Sequence, residues 1–106
     1  MKKLSIITPC YNEEVNVEIC AQELKKVMSE SLSNYEYEHI FADNASTDST
    51  LMKLRQLAAE DKNIKVISNS RNVGPFRNMW NAMKSATGDA IVPLLPADLQ
   101  DPPTVI

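Results

Sequence analysis

Strand-like and helix-like segments alternate along the whole 106-residue chain, and this alternation limits the possible folds more than any other feature. Four short β-rich segments are separated by three segments whose apolar residues recur at helical spacing. The order β-α-β-α-β-α-β predicts an α/β fold with a mostly parallel sheet, right-handed crossovers and helices on both faces. At this length the chain forms one domain at most.

The predicted strands are short and apolar. They cover Leu4 to Thr8, Tyr37 to Ala42, Ile64 to Ser68 and Ala90 to Leu95. The first strand stops at Pro9, because proline lacks the N–H that a strand interior donates. The fourth strand leads into an acidic segment with prolines at both ends, residues 96–103. Such a segment can hold a carboxylate at the edge of the sheet.

The first two predicted helices are amphipathic. The first runs from Glu14 to about Glu30. Its apolar face contains Cys20, Leu24, Val27 and Met28. In the second, Ser46 is the predicted N-cap and Asp48 suits the first turn. The predicted core face of this second helix consists of Leu51, Leu54, Leu57 and Ala58.

The third predicted helix begins at Gly74-Pro75, because proline is favoured at the first helical position. Gly88 suits the residue just past its end. The predicted buried face consists of Phe76, Met79, Trp80 and Met83. If part of this face were exposed, it would favour self-association, so a homo-oligomer is one expected state.

Composition excludes several classes of protein. A formal net charge of −3, without a stripe of Lys and Arg, argues against nucleic acid as a general partner. The sequence shows no signal peptide and no apolar run near the ~20 residues of a membrane span, so we expect a cytoplasmic protein. Cys10 and Cys20 lack the spacing of a zinc or disulfide framework and are expected to be reduced, buried thiols. His39 lies mid-strand and is expected to be structural or exposed rather than catalytic.

Polar residues gather directly after each predicted strand. They are Tyr11, Asn12, Glu13 and Glu14 after the first, Asp43 and Asn44 after the second, Asn69, Arg71 and Asn72 after the third, and Asp98 and Gln100 after the fourth. In an open parallel sheet, ligands bind beyond the carboxyl ends of the strands, so a ligand site is predicted at this edge. The alternative is that these residues only form turns. That alternative explains Asn69 but explains Tyr11 and the Glu13-Glu14 pair less well.

The kind of ligand is narrowed by the two glycines of the chain, Gly74 and Gly88. They form neither the G-x-G-x-x-G turn of a dinucleotide site nor a P-loop. Without a glycine cradle, the charge of a diphosphate must be met by a metal ion. The hard oxygen ligands of Asp98 and Gln100 suit Mg²⁺ or Mn²⁺. The alternative for Asp98 is a residue that stabilises a turn.

Four motifs, in this order, carry a resemblance to a known family. They are Pro9-x-Tyr11-Asn12-Glu13-Glu14, Asp43-Asn44-Ala45-Ser46-Thr47-Asp48-Ser49-Thr50, Asn72-x-Gly74 and Ala97-Asp98-Leu99-Gln100-Asp101-Pro102-Pro103. Together they resemble family 2 glycosyltransferases of the GT-A fold. The nearest resemblance is to dolichol-phosphate mannosyltransferase and bacterial polyprenyl-phosphate sugar transferases. Residues 1–106 would then be the truncated, N-terminal, Rossmann-like part of such a domain.

The resemblance implies inverting transfer of a sugar from a UDP- or GDP-linked nucleotide sugar to an acceptor such as a polyprenyl phosphate or a glycan. It implies that the parent protein is associated with the cytoplasmic face of a membrane. The implied donor-binding residues are Pro9, Tyr11, Glu13, Asp43, Asn44, Arg71, Ala97 and Asp98, and the implied metal ligands are Asp98 and Gln100. For Arg71, an exposed loop arginine is an equal alternative to a phosphate contact, and Arg77 is a weaker candidate.

Two departures from the family pattern bear on these expectations. Asn44 stands where the family has a second aspartate, which leaves the base open between uracil and guanine. Pro96 stands where the family has the first aspartate of its metal motif, so weaker metal binding or an altered donor position is expected. The catalytic base of the family lies beyond Ile106, and we therefore expect the 106-residue chain to be inactive alone and to bind nucleotide weakly.

Two other classes share the same alternation of strands and helices. One is a flavodoxin- or receiver-like binding module. A receiver needs a phosphorylatable aspartate after the third strand, where this chain has Asn69 and Asn72. The other is a non-enzymatic α/β domain that uses its surface for protein contacts.

Overall fold

A computed structural model of the chain describes residues 2–92. The elements are β1 (Lys3–Cys10), α1 (Val17–Glu30), β2 (Glu36–Asp43), α2 (Thr50–Glu60), β3 (Ile64–Ser68), α3 (Pro75–Ser85) and β4 (Ala90–Val92). Within these residues four strands form one sheet in the order β3-β2-β1-β4, and every neighbouring pair is parallel. The predicted α/β fold and its parallel sheet are confirmed. The predicted end of the first strand at Pro9 was wrong, because β1 continues through Pro9, which pairs in register with Ala42, to Cys10. The rest of the fourth predicted strand, up to Leu95, lies outside the described residues.

The path of the chain places helices on both faces of the sheet. From β1 the chain steps to β2 and then to β3, and α3 then carries it back to β4 on the other side of β1. Right-handed crossovers in opposite directions put their helices on opposite faces. Accordingly α1 and α2 pack on one face and α3 on the other. No helix within residues 2–92 is long and apolar enough to cross a membrane.

Adjacent residues of β1 serve the two cores, since side chains alternate along a strand. Ile6 packs with Leu24, Phe41 and Leu54 beneath α1 and α2, and all four are fully buried. Each such side chain contributes roughly 1.5–3 kcal/mol by leaving water. Ile7 instead packs towards α3, in a cluster with Ile40, Ala42 and Ala82. The predicted apolar face of α1 is confirmed, since all of its residues are buried.

The orientation of α3 differs from the prediction. Phe76 is 91% exposed and Trp80 is 60% exposed, whereas Asn78 and Ala82 face the sheet. The side chain of Asn78 can be buried because its amide donates to the backbone oxygen of Ala42 at 3.0 Å. The prediction, which relied on the size of the apolar side chains alone, therefore chose the wrong face of α3 as the buried one. The two methionines of the predicted face, Met79 and Met83, do pack against the α3-side core.

The start of α2 also differs from the prediction. The helix begins at Thr50 with Ser49 at the N-cap position, so Ser46 is not the cap. The hydroxyl of Ser46 instead donates to the carboxylate of Asp43 at 2.5 Å. Asp48 does serve the start of the helix, because its Oδ1 accepts hydrogen bonds from the N–H and hydroxyl of Thr50.

Gly88 has a different role from the one predicted. Helix α3 ends at Ser85, so Gly88 is not the residue that follows it. Its N–H donates to Ser5 Oγ at 2.8 Å. A Cβ atom at position 88 would lie 2.6 Å from Ser5 Oγ and 2.9 Å from the backbone oxygen of Lys3. The glycine is therefore needed for the close approach of this loop to β1.

A buried carboxylate joins several elements at the amino ends of the strands. Glu38 is 2% exposed and accepts hydrogen bonds from Ser5 Oγ at 2.5 Å and from the Thr87 N–H at 2.6 Å. It also forms ion pairs with Lys65 at 2.5 Å and with Lys3 at 3.6 Å. Burial alone raises the pKa of this carboxyl, but the hydrogen bonds from Lys65, Ser5 and Thr87 outweigh it and lower the pKa from 4.5 to about 2. Glu38 is thus charged, and both of its carboxylate oxygens have partners within the fold.

The single histidine is a core residue. His39 is 1% exposed, and a 2.8 Å hydrogen bond joins its Nε2 to Thr8 Oγ1. Its ring lies 4.1 Å from that of Phe41, at an interplanar angle of 32°. Burial lowers the pKa of the imidazole from 6.5 to about 3, so the ring is neutral in the folded chain. The two cysteines, Cys10 and Cys20, are buried and form no disulfide, as predicted.

We expect the free energy of unfolding to fall by about 2 kcal/mol between about pH 7 and about pH 5. The pKa of His39 is lower in the folded chain, so the unfolded chain binds more protons in this window. The stability linked to the neutral ring is complete above pH 6.5 and is lost as the pH falls towards 3. Urea unfolding at both pH values measures the change. His39→Gln cannot take up a proton and should remove most of it; an equal fall in both proteins would contradict this assignment.

Candidate functional site

A cleft of about 320 Å³ lies at the carboxyl ends of the strands. It is lined by Pro9, Cys10, Tyr11, Glu13, Asn44, Asn72, Pro75 and Asn78. These residues come from the ends of β1 and β2, the loop after β3 and the first turn of α3. The cleft therefore lies at the edge of the sheet where sequence analysis predicts a ligand site. Four predicted donor-binding residues, Pro9, Tyr11, Glu13 and Asn44, meet in its lining.

The loop after β1 is fixed to the loop after β2 by hydrogen bonds. Asn12 adopts a left-handed backbone with φ 53°, a conformation that asparagine tolerates well. Its N–H donates to Ser46 Oγ at 2.9 Å, and its side-chain oxygen accepts from the Thr47 N–H at 2.8 Å. The N–H of Glu13 donates to Thr50 Oγ1 at 2.9 Å. These contacts leave the ring of Tyr11 48% exposed at the cleft.

Glu14 and Asp48 add further hydrogen bonds between the loop after β1 and the loop after β2. Glu14 Oε2 accepts a hydrogen bond from the Ser49 N–H at 3.1 Å. The Glu14 N–H lies 3.5 Å from Asp48 Oδ2, and Thr50 donates to the other oxygen of Asp48. Although partial burial acts to raise the pKa of Asp48, the hydrogen bonds from Thr50 and Glu14 lower it overall. Residues 11–14 and 46–50 thus form one hydrogen-bonded unit, the loop clamp, in which Glu14 and Asp48 serve the fold.

Asp43 lies beneath the loop clamp and is not in the cleft lining. It is 1% exposed, and its carboxylate accepts hydrogen bonds from the hydroxyl of Ser46 at 2.5 Å and from its N–H at 3.3 Å. Between them, Ala45 adopts φ 62°, which costs a residue with a Cβ about 1–2 kcal/mol. The carboxylate therefore offsets the strain of this turn. The predicted contact of Asp43 with a donor stays a prediction.

A network of asparagine amides forms the wall opposite the loop clamp. Asn44 donates to Asn72 Oδ1 at 3.0 Å and accepts from the Val73 N–H at 2.9 Å. Asn69 donates to Asn44 Oδ1 at 3.2 Å and to Asn78 Oδ1 at 2.8 Å. Because these oxygens are occupied, the amide orientations are fixed. The network joins the ends of β2 and β3 to the first turn of α3.

The cleft offers few but distinct chemical groups to a ligand. Asn72 Oδ1 is taken by Asn44 and by the Gly74 N–H, so its amino group is the part of the amide available at the cleft. Glu13 Oε2 accepts from Asn16 Nδ2 at 2.8 Å, which holds the carboxylate in position. Together with the Tyr11 ring, these groups suit a flat ligand with hydrogen-bonding edges, such as a nucleobase with its ribose.

Sequence analysis placed Asn72 at this edge but assigned no role to it or to three other lining residues, Cys10, Pro75 and Asn78. No pattern within α3 marks Asn78, because the group that accepts from its amide, the backbone oxygen of Ala42, is distant in sequence. The signal for Cys10 was its place at the end of the first predicted strand, between Pro9 and Tyr11. Its thiol is 2% exposed, and burial raises its pKa, with Cys20, Asp43 and Glu13 adding to the effect. Cys10 is thus a protonated wall residue rather than a nucleophile.

Other predicted residues lie elsewhere. Arg71 is exposed in the loop after β3 and does not line the cleft, and Arg77 is exposed on the outer side of α3. The predicted Ala97, Asp98 and Gln100 lie outside the described residues. Within residues 2–92, no group of three His, Cys, Asp or Glu side chains is arranged to hold a metal ion.

A second cleft, of about 380 Å³, lies at the opposite end of the sheet. Among the residues that line it are Lys3, Tyr35, Glu38 and Lys65. Two of its three lysines, Lys3 and Lys65, are paired with the buried Glu38. The amino ends of parallel strands are also not where ligands of such folds bind. Its larger volume therefore does not make it the better candidate.

Comparisons with known proteins agree on one family. A family model described as Glycosyl transferase family 2 matches residues 5–106. The uncharacterized glycosyltransferase YkcC of Bacillus subtilis is 40% identical over 102 residues, which cover 96% of this chain and 31% of YkcC. The prophage bactoprenol glucosyl transferase homolog of Escherichia coli is 36% identical over 104 residues, covering 98% and 33%. The chain spans about a third of the length of these curated relatives.

Solved glycosyltransferases share the fold. The mannosyltransferase PcManGT of Pyrobaculum calidifontis, solved with GDP-Man and Mn²⁺, has a TM-score of 0.76 at 22% identity, over 92% of this chain and 28% of that one. TarS of S. aureus, residues 1–349 with UDP, has a TM-score of 0.74 at 28% identity, over 91% and 27%. The described residues therefore have the fold of GT-A glycosyltransferases.

We expect Asn78→Leu to lower the free energy of unfolding by about 2 kcal/mol, because it leaves buried amide and carbonyl groups without their partners. Urea unfolding, followed by tryptophan fluorescence, measures the change. Asn81→Leu is the matched control on the same helix, since Asn81 makes only a 3.4 Å hydrogen bond to Asn69. This control should cost less than half as much. Equal losses would show that the amide network does not hold α3 in place.

Proposed function

Because the chain belongs to glycosyl transferase family 2, we propose that it forms the donor-binding part of an enzyme that transfers a sugar, with inversion, from a UDP- or GDP-linked donor. Membership in this family sets aside the receiver-like module and the non-enzymatic interaction domain. The chain covers about a third of its relatives, so the acceptor-binding and catalytic parts are proposed for the rest of the parent protein.

The observation that carries the proposal is the cleft at the carboxyl ends of β1 and β2. Its volume of about 320 Å³ is at the lower end of small-ligand sites and suits the nucleoside part of the donor. The half-exposed ring of Tyr11 supplies a flat surface for the base or ribose. Glu13 offers an acceptor for a hydroxyl or N–H group, and the amino group of Asn72 offers a donor for a base carbonyl.

The diphosphate of the donor needs positive charge. We assign this role to Mg²⁺ or Mn²⁺ held by Asp98 and Gln100, where the metal would stabilise the departing nucleoside diphosphate. PcManGT, which shares the fold, was solved with GDP-Man and Mn²⁺, and this supports a divalent cation. Arg71 remains a candidate for a phosphate contact only if its loop moves, because it lies outside the cleft lining.

The proposed acceptor is a polyprenyl phosphate. One relative is named a prophage bactoprenol glucosyl transferase homolog, and another is named a bactoprenol glucosyl transferase. A phosphate acceptor is already ionised near neutral pH, so the transfer needs little help from a general base. We place the reaction at the cytoplasmic face of a membrane, where sugar nucleotides are available.

The site assignment is tested by titrating UDP and GDP into the purified chain. Tyr11→Ala should weaken binding of the preferred nucleotide roughly tenfold, the loss expected when a base or ribose loses its aromatic partner. Tyr35→Ala is the matched control, because Tyr35 is a similarly exposed tyrosine at the opposite end of the sheet. Isothermal titration calorimetry measures both. A loss in the control with none in Tyr11→Ala would place the nucleotide elsewhere.

The metal assignment has its own test. Mn²⁺ should tighten nucleotide binding to the wild-type chain, and Asp98→Asn should abolish this gain while leaving metal-free binding unchanged. Asp101→Asn, three residues further along, should keep the gain. If both variants respond to Mn²⁺ as the wild type does, Asp98 is not the metal ligand.

A further inference from the structure

The outer side of α3 exposes two large aromatic side chains with two cations beside them. Phe76 is 91% exposed and Trp80, one turn later, is 60% exposed. Arg77 and Lys84 are exposed on the same side of the helix. At about 100° per residue, these four residues fall within an arc of about 100°, opposite the side that packs on the sheet. They form the outer α3 surface.

This surface is basic although the chain as a whole is acidic. Residues 69–86 contain Arg71, Arg77 and Lys84 and no Asp or Glu, whereas the formal net charge of the chain is −3. The ion pairs within residues 2–92 involve Lys3 and Lys65 rather than these cations. Their charge is therefore available to an anionic partner.

A second exposed apolar pair shows what distinguishes α3. Val15, in the turn before α1, and Ile19, in its first turn, are 74% and 52% exposed and are also four residues apart. Their neighbours are the acidic Glu14 and Glu18, and neither apolar side chain is aromatic. Helices that lie in a membrane interface combine Trp or Phe with Lys or Arg. The outer α3 surface has this combination, and the start of α1 does not.

We propose that the outer α3 surface docks on an anionic lipid bilayer. Phe76 and Trp80 would enter the headgroup region, while Arg77 and Lys84 would lie against lipid phosphates. Charge complementarity selects this partner over a second copy of the chain. In a two-fold dimer built on this surface, the same cations from both copies would face each other and repel.

Docking in this way would bring the candidate site close to the membrane. The helix that carries the outer α3 surface also lines the cleft with Pro75 and Asn78, so about 10 Å, the thickness of one helix, separates the two. The benefit for catalysis rests on the proposed lipid-phosphate acceptor, whose phosphate lies at the bilayer surface. Binding to the membrane does not depend on that proposal.

Trp80 is the single tryptophan of the chain, so its fluorescence reports directly on this surface. The experiment adds vesicles of phosphatidylcholine with phosphatidylglycerol to the purified chain, without sugar nucleotide or polyprenyl phosphate. We expect a blue shift of the Trp80 emission and sedimentation of the chain with the vesicles. Both signals should weaken with vesicles of phosphatidylcholine alone and with added salt.

Variants distinguish vesicle binding through the outer α3 surface from nonspecific binding. Arg77→Gln and Lys84→Gln should each weaken vesicle binding about fivefold. Phe76→Ser should reduce it further while keeping Trp80 as the probe. The matched control is the double variant Val15→Ser, Ile19→Ser, which removes an exposed apolar pair of the same spacing from around the start of α1 and should bind as the wild type does.

Three results would overturn the inference. The first is equal binding to neutral and anionic vesicles, and the second is an equal loss in the α1 control. The third is a blue shift that grows with protein concentration without vesicles, because sedimentation equilibrium would then identify a second copy as the occupant. Nucleotide titration of the same preparation is read separately. Intact nucleotide binding without vesicle binding refutes the docking surface alone, and the reverse result refutes only the donor site.

Discussion

The position of β1 between β2 and β4, in an all-parallel sheet, is the constraint on which the candidate site depends. Parallel pairing brings every strand to the same edge at its carboxyl end, so loops far apart in sequence meet there. The connection through α1 leads from β1 to β2 on one side, whereas the connection through α3 leads back to β4 on the other side of β1. Helices α1 and α3 therefore lie on opposite faces of the sheet. The loops that lead into these two helices diverge, and the space between them is the cleft.

The two ends of the sheet bury polar groups in different ways, and the difference decides which end can bind a ligand. At the amino end, Glu38 is a charged acceptor that Ser5, Thr87 and two lysines satisfy. That arrangement ties β1, β2, β3 and the loop before β4 together but leaves the carboxylate no capacity for a further partner. At the carboxyl end, neutral amides are only partly satisfied, and the amino group of Asn72 stays available. A binding site requires side chains that are held in place but keep hydrogen-bonding groups available for a ligand.

The strands, α1 and the sheet edge could be predicted because each follows from local periodicity or from one topological rule. The errors fall where a partner distant in sequence decides the outcome. Asn78 faces the sheet because the backbone oxygen of Ala42 accepts from its amide, and no pattern within α3 shows this. Ser46 looked like a helix cap, but its hydroxyl is needed by Asp43 and by the loop after β1. Gly88 marked a close approach to β1 rather than a helix end.

The same contacts explain how one motif residue in the lining determines which groups this wall of the cleft presents. Asn44 is the position at which the chain departs from an aspartate, and its amide both donates to Asn72 Oδ1 and accepts from the Val73 N–H. An aspartate there would keep the acceptor but would set a carboxylate oxygen against Asn72 Oδ1, about 3 Å away. Asn72 would then have to turn its amide over, lose the Gly74 contact and present an oxygen instead of an amino group. The amide at position 44 therefore makes this wall of the cleft a hydrogen-bond donor, which suits a ligand that presents a carbonyl oxygen there.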